Sequence, residues 1–391
     1  MGEGPEQRPR KVALIHDFLL DLRGAERVFA SICDAWPDAD VYTAIYDERG
    51  TEGRFASRDV HTSFLQRLRP TARTFRALLP LYPYAVESFD LSGYDLVISS
   101  SSAWAHGVIV DDAALHVCYC HNPFRYAWNE REAALARRRF SRPALSAVLH
   151  RWRQWDWIAA QRVNRYVAVS DLTRRRIERY YGREAAVLHP PVDIARFTPD
   201  ASKVGEEYLL VSELMFHKRI EVAVEAFNRL GRPLVIVGDG PELRRLRRLA
   251  GPTVRFEGRV SDARVAQLMQ RARALVVTAV EEFGIAAVEA QASGRPVIAL
   301  GHGGARKTVI PGRTGVLYDS ADPRVLAQAV SDFDPLGIDP ADCIAQARRF
   351  GVSAFQDGLR ALVAGQLEEP RPAHRAGRRA RRPPVRLRPQ A

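Results

Sequence analysis

Short apolar runs alternate with amphipathic segments along the first half of the chain. In one such segment Val28, Phe29 and Ile32 recur at the spacing of a half-buried helix. The apolar runs are typical of buried strands, and they cover Lys11 to His16, Val41 to Tyr46, Tyr94 to Ser99, Leu115 to Cys120 and Arg165 to Ser170. This alternation predicts a parallel sheet with helices on both faces.

A second series begins after a connecting stretch between Pro190 and Glu207 that contains proline, aspartate and glycine. Its predicted strands are Tyr208 to Ser212, Leu234 to Val237, Val254 to Phe256, Ala274 to Thr278 and Pro296 to Leu300. Ligand sites in such sheets lie at the carboxyl ends of the strands, so the two units are expected to face each other across a cleft.

The length of 391 residues and the apolar content of 46% fit two domains with ample cores. We predict an α/β protein with Rossmann-like domains over residues 11–195 and 205–350, and a helix over residues 351–369 that crosses back to the first domain. The composition of residues 370–391 cannot bury a core and predicts a disordered basic tail. Residues 1–10 are expected to be flexible.

Charge, apolar runs and cysteine content indicate the cellular compartment in which the protein is expected. The formal net charge is +12, but eight arginines and no acid lie in residues 370–391, so the folded body is only mildly basic. The first ten residues contain no apolar segment, and no apolar run approaches the ~18 residues that span a bilayer. Four scattered cysteines predict neither a disulfide framework nor a zinc site. We therefore expect a cytoplasmic protein.

The most informative segment runs from Glu281 to Gly294 and follows a predicted strand. Gly284 is expected to open a helix, and Glu289 lies on its apolar stripe one turn after Ile285. A carboxylate there needs partners, and the hydroxyls of a bound ribose would supply them. The helix-start amides from Phe283 to Ile285 suit a diphosphate or sugar oxygen.

A simpler interpretation of the same segment stays open at this point. Acidic residues are favoured at helix starts by the helix dipole, which alone would explain Glu281 and Glu282. Glu289 would then pair with a core arginine.

The wider pattern resembles the family four glycosyltransferases. The resemblance rests on the spacing Glu281-x7-Glu289, on the segments Ser212 to Ile220, Val237 to Glu242 and Gly258 to Asp262, and on His16-Asp17, Gly24 and Cys120 to Trp128. It covers residues 11 to 365 and implies the GT-B fold, with two Rossmann-like domains facing across a cleft. It also implies transfer of a sugar with retention of anomeric configuration.

The resemblance implies roles for individual residues on the donor side. Glu289 would contact the donor ribose, Glu281 the transferred sugar or its phosphate, and Lys218 the leaving diphosphate. Many relatives carry an arginine five residues before the lysine, whereas this chain has Glu213. Arg219 or Lys307 could substitute for that arginine.

Further positions follow from the same resemblance. His121, with Lys218 and Glu281, is assigned to catalysis. Donor-binding positions are Gly24, Lys218, Arg219, Gly238, Gly240, Val260, Glu281, Phe283, Gly284, Ile285 and Glu289, and acceptor-side candidates are His16, Asp17, Arg125 and Tyr126. No metal or cofactor is expected besides the nucleotide-sugar donor, since Asp38 and Asp40 fit a turn before a strand.

The partners are predicted less specifically. The segment from His121 to Trp128 favours GDP-mannose over UDP-sugars by resemblance, with a glycan or lipid-linked acceptor from surface polysaccharide or glycolipid synthesis.

An arginine-rich stretch has apolar residues at helical spacing, which are Leu145, Val148, Leu149, Trp152 and Trp155. That helix either packs into the core or, with the basic tail, attaches the protein to an anionic inner membrane surface.

Two other functions remain as alternatives. A GT-B nucleotide-sugar epimerase would share the fold and the donor site. A nucleic-acid-binding protein is suggested by the basic tail, although no specific nucleic acid is expected as a partner. A Rossmann dehydrogenase is disfavoured because no GxGxxG opens a helix after a predicted strand.

Overall fold

The first half of the chain forms one sheet of seven strands. The computed structural model describes residues 11–72, 74–136 and 142–368, so the predictions for residues 1–10 and 370–391 lie outside the described residues. The strands are β1 (Val12–His16), β2 (Asp40–Thr43), β3 (Val60–Thr62), β4 (Leu96–Ser101), β5 (Leu115–Cys120), β6 (Arg165–Ala168) and β7 (Ala185–Val187). They are all parallel and lie in the order β3-β2-β1-β4-β5-β6-β7.

Helices follow most of these strands and cover the sheet. They are α1 (Gly24–Ala35), α2 (Tyr82–Glu87), α3 (Arg131–Ala136), α4 (Arg142–Arg162) and α5 (Asp171–Tyr181). In α1, Val28, Phe29 and Ile32 are buried against the sheet, as their spacing predicts. The helix α5 begins where the Ser170 hydroxyl accepts a hydrogen bond from the amide of Thr173.

The second half repeats this plan with six parallel strands in the order β10-β9-β8-β11-β12-β13. The strands are β8 (Tyr208–Val211), β9 (Leu234–Val237), β10 (Val254–Gly258), β11 (Leu275–Val277), β12 (Val297–Leu300) and β13 (Gly315–Tyr318). The helices are α6 (Ile220–Leu230), α7 (Leu243–Leu249), α8 (Asp262–Arg271), α9 (Ile285–Ala292), α10 (Ala305–Thr308), α11 (Pro323–Asp332), α12 (Pro340–Arg348) and α13 (Val352–Glu368). Both sheets thus reverse their strand order beside their first strand, the geometry of a Rossmann-like domain.

The chain passes between the two domains twice, and the two passages touch. The amide of Val192 in the first passage donates to the carbonyl of Phe350 in the second at 2.8 Å. Beyond it, α13 packs on α1 of the first domain, where Gln356 donates to the carbonyl of Ser31 at 3.0 Å. The last helix therefore belongs spatially to the first domain.

Several element bounds differ from the sequence-based prediction. The edge strands β3, β7 and β13 contain only three or four residues each, and no strand was predicted there. The strand β4 extends to Ser101, because Ser99, Ser100 and Ser101 are buried inside the sheet and not in a turn. The four cysteines are unpaired and buried. Among the described residues, no helix has both the length and the apolar character to cross a membrane.

Candidate functional site: a cleft between the domains

A cavity of about 480 Å³ lies between the carboxyl ends of the two sheets. Ser102 and His121 reach it from the ends of β4 and β5, and Ser212 and Thr278 from the ends of β8 and β11. The predicted site residues that line it are Gly24, His121, Arg125, Lys218, Glu281, Phe283, Gly284, Ile285 and Glu289. Residues far apart in the sequence therefore meet in one cleft, at the place where ligands bind in such folds.

The start of α9 opens on this cleft. Gly284 has a φ of 89°, a left-handed conformation that glycine adopts without strain, and the helix begins at the next residue. Gly284, Ile285 and Ala286 all line the cavity. Because the first amides of a helix have no partner within the helix, this terminus offers N–H donors to an anionic ligand.

Lys218 and Glu281 form a close ion pair at the cleft wall. The Lys218 amine lies 2.8 and 2.7 Å from the two carboxylate oxygens of Glu281. Burial opposes the charged amine, but the adjacent Glu281 outweighs it and raises the pKa of Lys218. The lysine is therefore a fixed positive charge in the cleft at neutral pH.

Glu282 is held by cations of the first domain. Its carboxylate accepts a hydrogen bond from Arg176 at 2.8 Å, and Arg176 also donates to Asn122 at 2.7 Å. Burial acts to raise the pKa of Glu282, but Arg125 and Arg176, with Lys218, lower it overall. Glu282 is thus an ionised link between the domains and more than a helix-start acid.

Glu289 differs from these two acids because its carboxylate is not paired. It lines the cleft with Ile285, whereas Val288 is fully buried. Within the described residues, nothing donates a hydrogen bond to this carboxylate. Burial raises its pKa to about 6, although Arg196 and Arg27 partly oppose the shift. No arginine in the described ranges therefore forms the pairing that the sequence left open, and the carboxylate is available to a ligand.

The first domain contributes Gly24 and His121 to the opposite wall. A Cβ on Gly24 would lie 3.5 Å from the Ile285 side chain, so the starts of α1 and α9 approach closely. His121 Nε2 is 2.9 Å from the Ser100 hydroxyl, which also lies 3.2 Å from Nδ1 of His16. Burial, with a smaller contribution from His16, lowers the pKa of His121 to about 3, so its ring is neutral.

Three acceptor-side candidates do not line the cleft. The carboxylate of Asp17 is 1% exposed and accepts four backbone amides, those of residues 102 to 105, at 2.6 to 3.1 Å. All its acceptor positions are used, so it fixes the loop after β4. Tyr126 packs on the core of the first domain beside Phe124. His16 is also buried and reaches the cleft only through Ser100 and His121.

Arg125 is the acceptor-side candidate that does line the cleft. Its guanidinium is 3.2 Å from Nε2 of His217 and 3.6 Å from Glu130. The pKa of Arg125 is raised, because nearby acids, chiefly Glu282, outweigh burial.

Four donor-binding candidates also lie outside the cavity lining. A Cβ on Gly238 would stand 1.8 Å from the Ser212 carbonyl and one on Gly240 would stand 2.5 Å from the Leu214 carbonyl. These glycines therefore let the loop after β9 pack against the loop after β8. Val260 packs on the core, and Arg219 donates to Glu221 at 3.0 Å.

Two arginines on either side of Gly24 line the cleft but were not among the sequence-based candidates. Arg23 donates to Glu213 of the second domain at 2.7 Å, and Arg27 donates to Asp262 at 2.6 Å. The signal in the sequence is their position: both lie within one turn of Gly24, which the resemblance places among the donor-binding residues.

One face of the arginine-rich helix α4 packs on the core of the first domain. Trp152 and Trp155 pack around the buried Trp104, with ring centroids 5.4 and 5.5 Å away. Trp157 and Ile158 of the same helix are 48% and 56% exposed. The tryptophans at 152 and 155 therefore pack on the core, whereas Trp157 and Ile158 remain largely uncovered.

One group of side chains in the described part of the chain has the spacing of metal ligands. Asp40, Asp59 and His61 have ligand atoms within 4.8 Å of one another. Asp40 is the first residue of β2, so the group lies at the amino ends of the strands, whereas the cleft lies at their carboxyl ends. The Tyr94 hydroxyl donates a hydrogen bond to the carboxylate of Asp40. This group is separate from the cleft.

The chain matches two family models in succession. Residues 22–196 match glycosyltransferase family 4 and residues 194–350 match glycosyl transferases group 1. A GDP-mannose-dependent alpha-(1-6)-phosphatidylinositol monomannoside mannosyltransferase of Mycolicibacterium smegmatis is 33% identical over 196 residues. The match covers 42% of this chain and 51% of the relative, so the chain spans about half the length of the curated relatives it matches.

Solved structures share the fold over nearly the whole chain. Sucrose-phosphate synthase from Thermosynechococcus elongatus superimposes with a TM-score of 0.72 at 18% identity, covering 92% of this chain and 99% of that one. Anabaena HepE in complex with UDP and glucose superimposes with a TM-score of 0.67 at 20% identity, covering 90% and 99%. The two family matches and the paired parallel sheets lead to one assignment: the chain belongs to the family 4 and group 1 glycosyltransferases of the GT-B fold.

Proposed function

We propose that the protein transfers a hexose from a nucleotide-diphosphate sugar to an acceptor hydroxyl, with retention of anomeric configuration. The observation that supports this most directly is the composition of the cleft. The second domain contributes the ionised Lys218, the start of α9 with amides that have no partner within the helix, and Glu289, whose carboxylate accepts no hydrogen bond from the described residues. Gly24 and the neutral His121 of the first domain face these groups across one cavity.

Each of these groups suits one part of such a donor. The ribose hydroxyls would donate to Glu289, which accepts no hydrogen bond from the described residues. The diphosphate would lie between Lys218 and the amides at the starts of α9 and α1. Negative charge grows on the β-phosphate as the glycosidic bond breaks, so these positive groups stabilise the transition state.

The acids of the cleft do not need to act as nucleophiles. Glu281 and Glu282 are held in ion pairs with Lys218 and Arg176. We propose that the acceptor hydroxyl attacks the anomeric carbon from the face that the phosphate leaves, that the bond from this carbon to the phosphate oxygen breaks, and that the hydroxyl proton passes to the departing phosphate oxygen. His121, neutral and with Nε2 engaged by Ser100, would offer Nδ1 to a sugar hydroxyl.

We propose mannose as the sugar and GDP as the preferred nucleotide. The segment from His121 to Trp128 favours this donor by resemblance, and the M. smegmatis relative is named as GDP-mannose-dependent. The glycan or lipid-linked acceptor would belong to cell-surface polysaccharide or glycolipid synthesis.

We further propose that the enzyme works on the inner face of the plasma membrane. The exposed Trp157 and Ile158 lie on a helix that also exposes Arg142 and Arg151. A helix that exposes both large apolar side chains and arginines favours the interface of an anionic bilayer. A lipid-linked acceptor would then be reached from the surface to which the enzyme is attached.

A donor panel tests the proposal. The purified chain is incubated with GDP-mannose, UDP-glucose and ADP-glucose, each with and without lipid-linked acceptors, and nucleotide release and products are followed by NMR. We expect transfer from GDP-mannose with the α-configuration kept. A product with inverted anomeric configuration would contradict the retaining mechanism. Transfer only from a UDP-sugar would contradict the proposed guanine nucleotide. An isomerised donor without transfer would support an epimerase instead.

A further inference from the structure

The cleft carries a carboxylate where the family resemblance leads one to expect a phosphate-binding arginine. Glu213 lines the cavity together with Lys218. The two substitutes suggested by the sequence do not line it. Arg219 pairs with Glu221 at 3.0 Å, and Lys307 lies 3.2 Å from Asp171. On the side of the second domain, Lys218 is therefore left to face a diphosphate without the expected second cation.

A guanidinium from the first domain lies beside Glu213. Arg23 lines the same cavity, and its Nη1 donates to Oε1 of Glu213 at 2.7 Å. Its Nη2 donates to Asp21 at 2.6 Å, and its backbone amide donates to Glu26 at 3.1 Å. The arginine is thus fixed at its base by the start of α1 and at its tip by two carboxylates.

The carboxylate that meets Arg23 is carried by a well-packed loop. On either side of Glu213, the amide of Ser212 donates to the Val237 carbonyl at 3.0 Å and that of Leu214 to the Asp239 carbonyl at 2.9 Å. Gly238 and Gly240 allow this contact because any side chain there would collide with the loop. Glu213 therefore has a fixed position from which it can hold a cation over the cleft.

We propose that Arg23 is the second cation for the donor diphosphate, supplied by the first domain, and that Glu213 positions it. This inference rests on the proposed function. A guanidinium has five N–H donors, and the bonds to Glu213 and Asp21 use two of them. The remaining donors match the fork geometry of phosphate oxygens. Arg23 and Glu213 are 46% and 38% exposed, and a pair this exposed is weak enough for a diphosphate to draw the guanidinium inward.

Titration calorimetry with GDP and GMP tests the role of Arg23, with UDP/UMP and ADP/AMP as parallel probes. We expect Arg23→Met to weaken GDP binding about ten- to a hundredfold and GMP binding much less, because the β-phosphate loses a charged donor. Arg245→Met is the matched control, since Arg245 is 45% exposed, is also ion-paired and does not line the cavity, and it should leave the GDP-to-GMP ratio unchanged. Arg23→Gln replaces the methionine variant if that protein does not fold.

A double variant separates direct binding from charge neutralisation. If Arg23 only masks Glu213, then Arg23→Met/Glu213→Gln will bind GDP as the wild type does, and the inference is overturned. If Arg23 binds the phosphate, the double variant will stay weak. A wild-type protein that binds no nucleoside diphosphate would refute the proposed function itself. A wild type that binds GDP, with an unchanged ratio in Arg23→Met, would refute only the inference.

Discussion

Glu289→Gln should make the protein more stable while it weakens the donor site. The wild-type carboxylate lines the cleft without a hydrogen bond from the described residues, and burial raises its pKa from 4.5 to about 6. Each pKa unit corresponds to about 1.4 kcal/mol, so the ionised carboxylate destabilises the fold by about 2 kcal/mol at neutral pH. Glutamine keeps the shape and removes the charge.

The effect has a defined dependence on pH. Because the folded-state pKa is the higher one, the destabilisation is complete above about pH 6 and disappears as the pH falls below 4.5. For a domain of about 150 to 250 residues, a gain of about 2 kcal/mol raises Tm by roughly 4 to 8 °C. Calorimetric scans of both proteins at pH 7.5, 5.5 and 4 measure this difference directly.

Glu282→Gln is the matched control because the same change acts on a neighbouring acid with the opposite environment. The pKa of Glu282 is lowered, since Arg125, Arg176 and Lys218 outweigh burial. Its loss should therefore reduce Tm at neutral pH. An equal or lower Tm for Glu289→Gln at pH 7.5, or an increase that persists unchanged at pH 4, would refute the electrostatic reasoning.

Four other outcomes are expected. Lys218→Ala should lower kcat about 10²- to 10³-fold in the transfer assay, because the leaving phosphate loses its cation, whereas Lys203→Ala, at an exposed pair with Asp200, should not. The KM for the donor should rise as the pH falls through about 6, where Glu289 becomes protonated, and this inflection should be absent in Glu289→Gln. Gly238→Ala should lower Tm more than Gly231→Ala, since both glycines have positive φ but only at Gly238 would a Cβ meet a carbonyl, that of Ser212. Trp157→Ala/Ile158→Ala should reduce sedimentation with phosphatidylglycerol vesicles, and equal sedimentation would remove α4 as the attachment surface.

The sequence was most informative where local pattern and tertiary position depend on the same residues. The strand Leu115–Cys120 was predicted with its bounds, because all six residues are buried on both faces of a central strand. Gly284 was predicted to open a helix, and the structure confirms it through a left-handed backbone that glycine adopts easily. Short edge strands such as β3 carried too little apolar pattern to be recognised.

Long-range pairing was the part that the sequence did not reveal. The resemblance places Asp17 on the acceptor side, but its neighbours in space are the four amides of residues 102 to 105. Arg23 and Glu213 are 190 positions apart, and no periodicity connects them. Such contacts depend on how the two domains meet, and a local pattern does not contain that information.

The double passage of the chain between the domains has a consequence for motion. Two connecting segments, joined where Val192 donates to Phe350, restrain the relative rotation of the domains more than a single connection would. Phe283 packs on both passages, with its ring 5.2 Å from His189 and 5.1 Å from Phe350. Phe283 stands between Glu282 and Gly284, so a change in the angle between the two domains would act directly on the loop that opens α9.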